Sequence, residues 1–437
     1  MEDQISALLR EHQSLSWIQP FLFDHKEAKL FLVGGAVRDA CLKRQTKDFD
    51  FVLSGLNKDA IEKWFGAHGE VDFTGKTFGV YKFIPAVVSS RFPIEPIDIA
   101  LPRTESSLPD SQGGYREFAI EARMDLPIEM DLGRRDFTVN AMAYDIGAGK
   151  LIDPFHGLRD IKAKVIRAVG VPTERFQEDL TRLLRAIRFS CSLGFHIEEN
   201  TWNAIHDSAA RINYLKTDDS WIVPREAVGR EFLKSFLHDP ACTLIKYDVS
   251  GLFALLFHEF DLTRATALTS DAAGLTPRLL VALFLSAADP IEAQRRADEY
   301  RFYQFPKDGR WHIDLEEVMW LLRSAHALDV IEDPLAIPGS LFERIFLGAK
   351  GEELLALMHL TGSAPQTKIT AVRQRINEIR QRLGDDIPEL LNGDNLIAAG
   401  IKPGPAIREL KNKIRDAQFA GTISTKQEAN DYLKTLL

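Results

Sequence analysis

The chain has 437 residues, 45% hydrophobic and 27% charged, which suits a soluble globular protein of about two to four domains and excludes disordered and collagen-like classes. Its 54 Lys and Arg against 63 Asp and Glu leave a net charge of −9 and a pI of 5.7, which excludes a basic protein that simply coats RNA or DNA. Cys41, Cys191 and Cys242 lie far apart with no Cys-x-x-Cys, so neither a disulfide scaffold nor a zinc ribbon is expected, and a reducing cytoplasm fits best.

The acidic start, Met1-Glu2-Asp3-Gln4, lacks the basic and apolar regions of a signal peptide, so no secretion is expected. Residues 29–101 read as mixed α/β: apolar Leu30–Val33, then Gly34-Gly35, a helix-like stretch, a strand at Phe49–Leu53, and a second helix-like stretch to about His68. Strands follow near Gly79–Ile84 and Ile94–Leu101. Arg103–Tyr115 is a polar run whose length marks it as a loop and a possible lid. From Phe176 onward apolar residues recur at three and four, so the remainder reads as helical, with a turn near Gly362–Gln366. Leu252–Phe257 and Leu279–Ala288 are the most apolar windows, about half the ~18 residues that a membrane span needs, so no membrane association is expected.

Alternation in Lys47-Asp48-Phe49-Asp50-Phe51 puts Asp48 and Asp50 on one face and the two phenylalanines on the other. Asp98, between Ile97 and Ile99, shares their cleft if the two strands are neighbours. Three such carboxylates can hold two Mg²⁺ ions for displacement at phosphorus. An isolated Asp-x-Asp is more often a solvated strand face. Gly34-Gly35, at the close of a strand and opening of a helix, lets backbone N–H groups approach an anion, with Arg38 as a charged donor; this is neither GxGxxG nor a Walker loop. On a helix through Arg175–Phe189, Leu180, Leu183, Leu184, Ile187 and Cys191 form a core stripe, and Asp179 and Arg182 are i, i+3 neighbours on a polar face.

The order strand, Gly-Gly, helix, Asp-x-Asp strand, later Asp strand resembles the polymerase-β-like nucleotidyltransferases. Four further segments narrow the resemblance to the class II tRNA nucleotidyltransferases (CCA-adding enzymes) and bacterial poly(A) polymerases: Asp131–Ala143, Asp153–Asp160, Arg175–Phe189, and Leu391–Asp394 with Lys402–Pro405. The resemblance implies an α+β nucleotidyltransferase head (1–158) followed by an all-helical neck (159–270), body (271–362) and tail (363–437). It implies catalysis by Asp48, Asp50 and Asp98 with two Mg²⁺ on Asp48 and Asp50, and triphosphate binding by Gly34, Gly35 and Arg38. Ribose binding falls to Arg135 and Asp136, nucleobase selection to Asp179 and Arg182, and further nucleotide or RNA contacts to Arg185 and Arg188.

The implied substrates are CTP, ATP and tRNA, with no obligate protein partner. The family usually has two adjacent glycines in the Asp153–Asp160 hinge, where this chain has His156-Gly157. Partial CC-only or A-only addition, poly(A) synthesis, and non-catalytic RNA binding by a degenerate head are the alternatives. Against poly(A) synthesis, Phe78-Gly79-Val80-Tyr81-Lys82-Phe83 stands where those relatives often carry a basic stretch. His238-Asp239 is an isolated HD dipeptide without the other ligands of a metal phosphohydrolase. Residues 159–190, 368–382 and 402–415 carry eight Lys and Arg against four Asp and Glu, five against one and five against one, which marks three basic islands for tRNA.

Overall fold

The computed structural model describes the chain apart from residues 1, 47, 76–78, 87–95, 108–113, 115–117, 303–312, 330, 332 and 334–335. It divides into two compact units, Met1–His258 and Glu259–Leu437.

The first unit begins with α1 (Glu2–Glu11), α2 (Ile18–Asp24), β1 (Lys29–Val33), α3 (Gly35–Cys41), β2 (Asp50–Ser54), α4 (Lys58–His68), β3 (Gly69–Gly75), β4 (Val80–Pro85) and β5 (Ile97–Ala100). After these come β6 (Arg103–Ser107), β7 (Phe118–Ala122), α5 (Ile128–Gly133), β8 (Ala143–Asp145) and β9 (Lys150–Ile152). Seven strands make one mixed sheet in the order β3-β4-β5-β2-β1-β8-β9, in which β2 and β5 are parallel and the other neighbours antiparallel. Trp17 holds one face together, its ring centroid 5.5 Å from Phe51, 5.4 Å from Phe65 and 5.6 Å from Phe83. On the other face Phe31, Val33 and Val52 pack against Ile128, Leu132 and Ala143. Burial on both faces is why the strands read as nearly continuous apolar runs.

The polar run from Arg103 is not a plain loop. Its first residues are β6, which pairs antiparallel with β7 outside the main sheet; alternation there is too weak to announce a hairpin. The rest of the expected lid, apart from Gly114, lies outside the described residues, as does Phe78 of the Phe78–Phe83 stretch.

In the expected hinge, Asp153 accepts hydrogen bonds from the amides of Gly157 (2.7 Å) and Leu158 (2.9 Å). His156 adopts a left-handed conformation, φ 62°. A Cβ on Gly157 would lie 2.2 Å from the carbonyl oxygen of Thr138. The second glycine of the family pattern is thus fixed by close approach. The first needs only a positive φ, which histidine adopts at a modest cost.

The first unit then turns helical: α6 (Gly157–Ala163), β10 (Val165–Ile166), α7 (Pro172–Glu178), α8 (Thr181–Leu193), β11 (His196–Ile197), α9 (Glu199–Ser208), α10 (Arg225–Phe236), α11 (Pro240–Val249) and α12 (Leu252–Leu256). The expected single helix through Arg175–Phe189 is two, broken at Asp179 with φ −149° and ψ 105°. The apolar stripe survives the break because it lies on α8 and on Leu180 just before it: Leu180, Leu183, Leu184, Ile187 and Cys191 are all buried. His238-Asp239 has a local purpose, since the Asp239 carboxylate caps α11 by accepting from the Cys242 amide.

The absence of disulfides expected from cysteine spacing is corrected. Cys191 on α8 and Cys242 on α11 are bonded, with Cα atoms 5.7 Å apart across a sequence separation of 51. Packing of α8 against α11, invisible in spacing, brings them together.

Among the described residues the regular elements of the second unit are helices, Pro277–Leu285, Gln366–Leu383, Gly393–Ala398, Pro405–Ala420 and Lys426–Leu436 among them. Leu279 to Leu285 are all buried, and among the described residues no helix is long and apolar enough to cross a membrane. Ile369, Val372, Ile376 and Ile379 line the buried side of Gln366–Leu383. Its cations do more than decorate the outside: Lys368 donates to the carbonyl of Ile331, Arg375 to that of Ile337 at 3.2 Å, and Arg382 to that of Phe419.

Candidate active site

Strand register assembles the site. Asp50 stands opposite Asp98 in the parallel β2–β5 pair, and Asp98 opposite Lys82 in β4–β5. Asp50 shares a face of β2 with Val52, while Phe49 and Phe51 are buried; Asp48, just before the strand, is exposed. All three carboxylates line one cavity of about 670 Å³ with Gly34, Gly35, Arg38, Arg135, Asp136, Asp179, Arg182, Arg185 and Arg188. Every residue expected at the site lines it, and all belong to the first unit.

Burial pushes the Asp50 carboxyl up to about 6, Asp48 and Asp98 add to this, and Arg135 and Lys82 oppose it. Carboxylate oxygens suit Mg²⁺, which binds through one or two carboxylates and completes its shell with water and phosphate. The repulsion felt by Asp50 is the charge such an ion would offset, so the donors fit. Among the described residues no three such ligands are gathered around one point: Lys82 Nζ donates to Asp98 Oδ1 at 2.7 Å.

Gly34, φ 69°, closes β1 where Arg135 comes in: an added Cβ would meet the Arg135 guanidinium at 2.7 Å. The positive φ favours glycine there, and the guanidinium would have to shift to admit a Cβ. Arg135 donates to Asp131 at 3.2 Å, and its Nε is buried without a hydrogen-bond partner. Arg38 is held by Asp39 (2.9 and 3.0 Å) and Asn140 (2.6 Å).

Asp136 is buried and turned toward α8. Its Oδ1 accepts from the Phe137 amide and Asn140, and its Oδ2 from Arg185 Nε (2.8 Å) and NH2 (2.6 Å). Burial alone would raise its pKa, but Arg185, Asn140 and the Phe137 amide hold it at about 2. Arg188 donates to Glu231 at 2.6 Å and lies 4.0 Å from the Phe189 ring centroid. Burial lowers its pKa despite Glu231.

Asp179 spends Oδ1 on the amide and hydroxyl of Thr181, 2.8 and 2.7 Å, starting α8. Burial raises its pKa, against the Thr181 hydrogen bonds and Arg182. Arg182 is not on a solvated face. It is 7% exposed, paired with Glu178 at 2.5 Å and donating to the carbonyls of Arg175 and Arg134, each at 3.1 Å. Its ion pair is with Glu178, because the break at Asp179 turns that carboxylate into a cap.

Several contributors escaped the sequence reading. Asp131, fully buried, takes Arg134 and Arg135; Glu178 takes Arg175 and Arg182. Their i, i+3 and i, i+4 spacings were a usable signal. Lys82, Asn140, Lys234 and Glu231 reach the site or its arginines through register and helix packing, which leave no local trace.

Residues 30–167 match the poly A polymerase head domain family. The chain is 37% identical to the multifunctional CCA protein of Xanthomonas axonopodis pv. citri over 52% of its own length and 53% of that protein, so this match spans about half of the relative. It is 28% identical to the CCA-adding enzyme of Lactobacillus delbrueckii subsp. bulgaricus over 91% of both chains. Among solved structures it is similar to the Bacillus stearothermophilus CCA-adding enzyme in complex with CTP, with a TM-score of 0.67, 22% identity, and coverage of 100% of this chain and 98% of that one. At that identity the likeness speaks for the fold.

Proposed function

We propose that this chain is a CCA-adding enzyme built on a poly A polymerase head, one that adds C and A from CTP and ATP to the 3′ end of tRNA without a template. The observation that carries the reading is one cavity lined by carboxylates at Asp48, Asp50 and Asp98, by a half-buried Asp179 and by a buried Arg182. The relatives' names and the CTP complex of the bacillus enzyme support the substrate class.

In this reading Asp48 and Asp50 would hold two Mg²⁺, which would supply charge stabilisation at the α-phosphate and the leaving pyrophosphate. Asp98 receives the proton of the primer 3′-OH. The backbone at Gly34 and Gly35, with Arg38, steadies the triphosphate, and Arg135 offers its unpartnered Nε to the nucleotide. Asp136 contributes to the ribose site by fixing Arg185.

Selection follows from hydrogen-bond polarity. Cytosine and adenine present an exocyclic amine beside a ring acceptor; Asp179 accepts from the first and Arg182 donates to the second. Uracil and guanine place a carbonyl against Asp179, and two buried acceptors left facing one another cost about 1–3 kcal/mol. The neck at 159–270 then supplies base selection, while the body at 271–362 and the tail at 363–437 carry the tRNA, and a cytoplasmic location goes with that substrate. Replacing Asp50 with Asn is expected to abolish nucleotide transfer with tRNA affinity unchanged. Substantial transfer by that variant would overturn the assignment.

A further inference from the structure

We propose that Lys82 is a positioning residue that holds Asp98 toward β4 and thereby weakens and tunes the grip of the carboxylate cluster on a divalent cation. The inference rests on the reading of Asp48 and Asp50 as cation ligands.

Three registers run in one line across the sheet: Asp72 opposite Lys82, Lys82 opposite Asp98, and Asp98 opposite Asp50. Directly opposed residues of neighbouring strands share a face, so an ammonium is built into a row of carboxylates. Lys82 takes Asp98 Oδ1 at 2.7 Å. Among the described residues Asp98 Oδ2 accepts no hydrogen bond, which leaves one oxygen of this carboxylate for the reaction.

The tether has two consequences. It occupies one oxygen of the third acidic side chain, and adjacent register does not produce a three-ligand group among the described residues. It also sets a positive charge beside the site, which repels a divalent ion. The side chains are 48% and 38% exposed, so the pair is of the weak, exchangeable kind. A cation bound with its nucleotide can draw Asp98 away from Lys82, while a cation arriving alone meets both the ammonium and an occupied carboxylate. Lys82 therefore disfavours metal binding before substrate and leaves the second Asp98 oxygen for the primer hydroxyl.

The test is Mn²⁺ binding to the full chain without nucleotide, followed by electron paramagnetic resonance of the free ion, in wild type, Lys82→Met, Lys82→Arg and Asp50→Asn. Lys82 is half exposed, so its substitution leaves the core intact, and circular dichroism checks this for each variant. Lys82→Met is expected to bind Mn²⁺ about tenfold more tightly than wild type, the scale of one removed charge acting on a divalent ion in a hydrated cleft. Lys82→Arg should match wild type, and adding Asp98→Asn to Lys82→Met should cancel the gain. Unchanged or weaker binding by Lys82→Met, with Asp50→Asn still losing affinity, would overturn the inference alone. Full Mn²⁺ affinity in Asp50→Asn would overturn the ligand reading beneath it.

Discussion

Asp179 does two jobs through its two oxygens. Oδ1 starts α8 through Thr181, and the carboxylate lines the cavity beside an arginine held by Glu178 and two carbonyls. Because Arg182 does not depend on Asp179 for its place, removing the carboxylate should leave the donor standing. Asp179→Ala is therefore expected to lose discrimination against UTP and GTP by roughly one to two orders of magnitude, the value of the mispaired acceptor, while still using CTP and ATP. Single-turnover incorporation of each nucleotide checks this, and unchanged selectivity would remove the argument. The resemblance of Arg175–Phe189 to the family points to Asp179 and Arg182, whose spacing alone suggests only a surface ion pair. The sequence could not reveal the cap, because helix breaks at a residue without Pro or Gly leave no local mark.

At the scale of elements, the contact between Asp136 and Arg185 ties the segment after α5 to α8. Both groups are charged in the folded chain, and Asp136 sits at about 2 against 3.8 for the free side chain. A lowered folded value means stability that is present above about pH 4 and is lost as pH falls toward 2, on the order of 2 kcal/mol in all. Asp136→Asn should flatten that acid decline in the urea midpoint between pH 4 and 2. An identical slope in the variant would show that the pair does not carry it. Strands β3, β8 and β9 were not legible, whereas β1, β2, β4 and β5 were, as short, largely buried apolar runs, and so was the α8 stripe by its helical period. The β6–β7 hairpin and the Cys191–Cys242 bond were not, since polar alternation and long-range pairing impose none.

Across the whole molecule the charge of −9 is an average over islands that folding rearranges. In the first unit Arg167, Arg175, Arg182, Arg185 and Arg188 all meet carboxylates, the last three at the candidate site. In the second unit Arg373 meets Glu352, Lys411 meets Glu389, and Arg415 meets Glu343. Linear islands of positive charge thus become ion pairs, some with acids in the same stretch and some with acids distant in sequence, and the surface left for phosphate is more modest than a residue count suggests. That suits a substrate bound and released in turn, since each neutralised phosphate tightens binding and steepens its salt dependence. The most direct test of the central claim gives the purified chain tRNA transcripts ending before CCA, after C and after CC, with CTP and ATP separately and together, and sequences the products. The account predicts that every transcript is completed to CCA and no further when both nucleotides are present; poly(A) tails, or no extension with Mg²⁺ supplied, would contradict it.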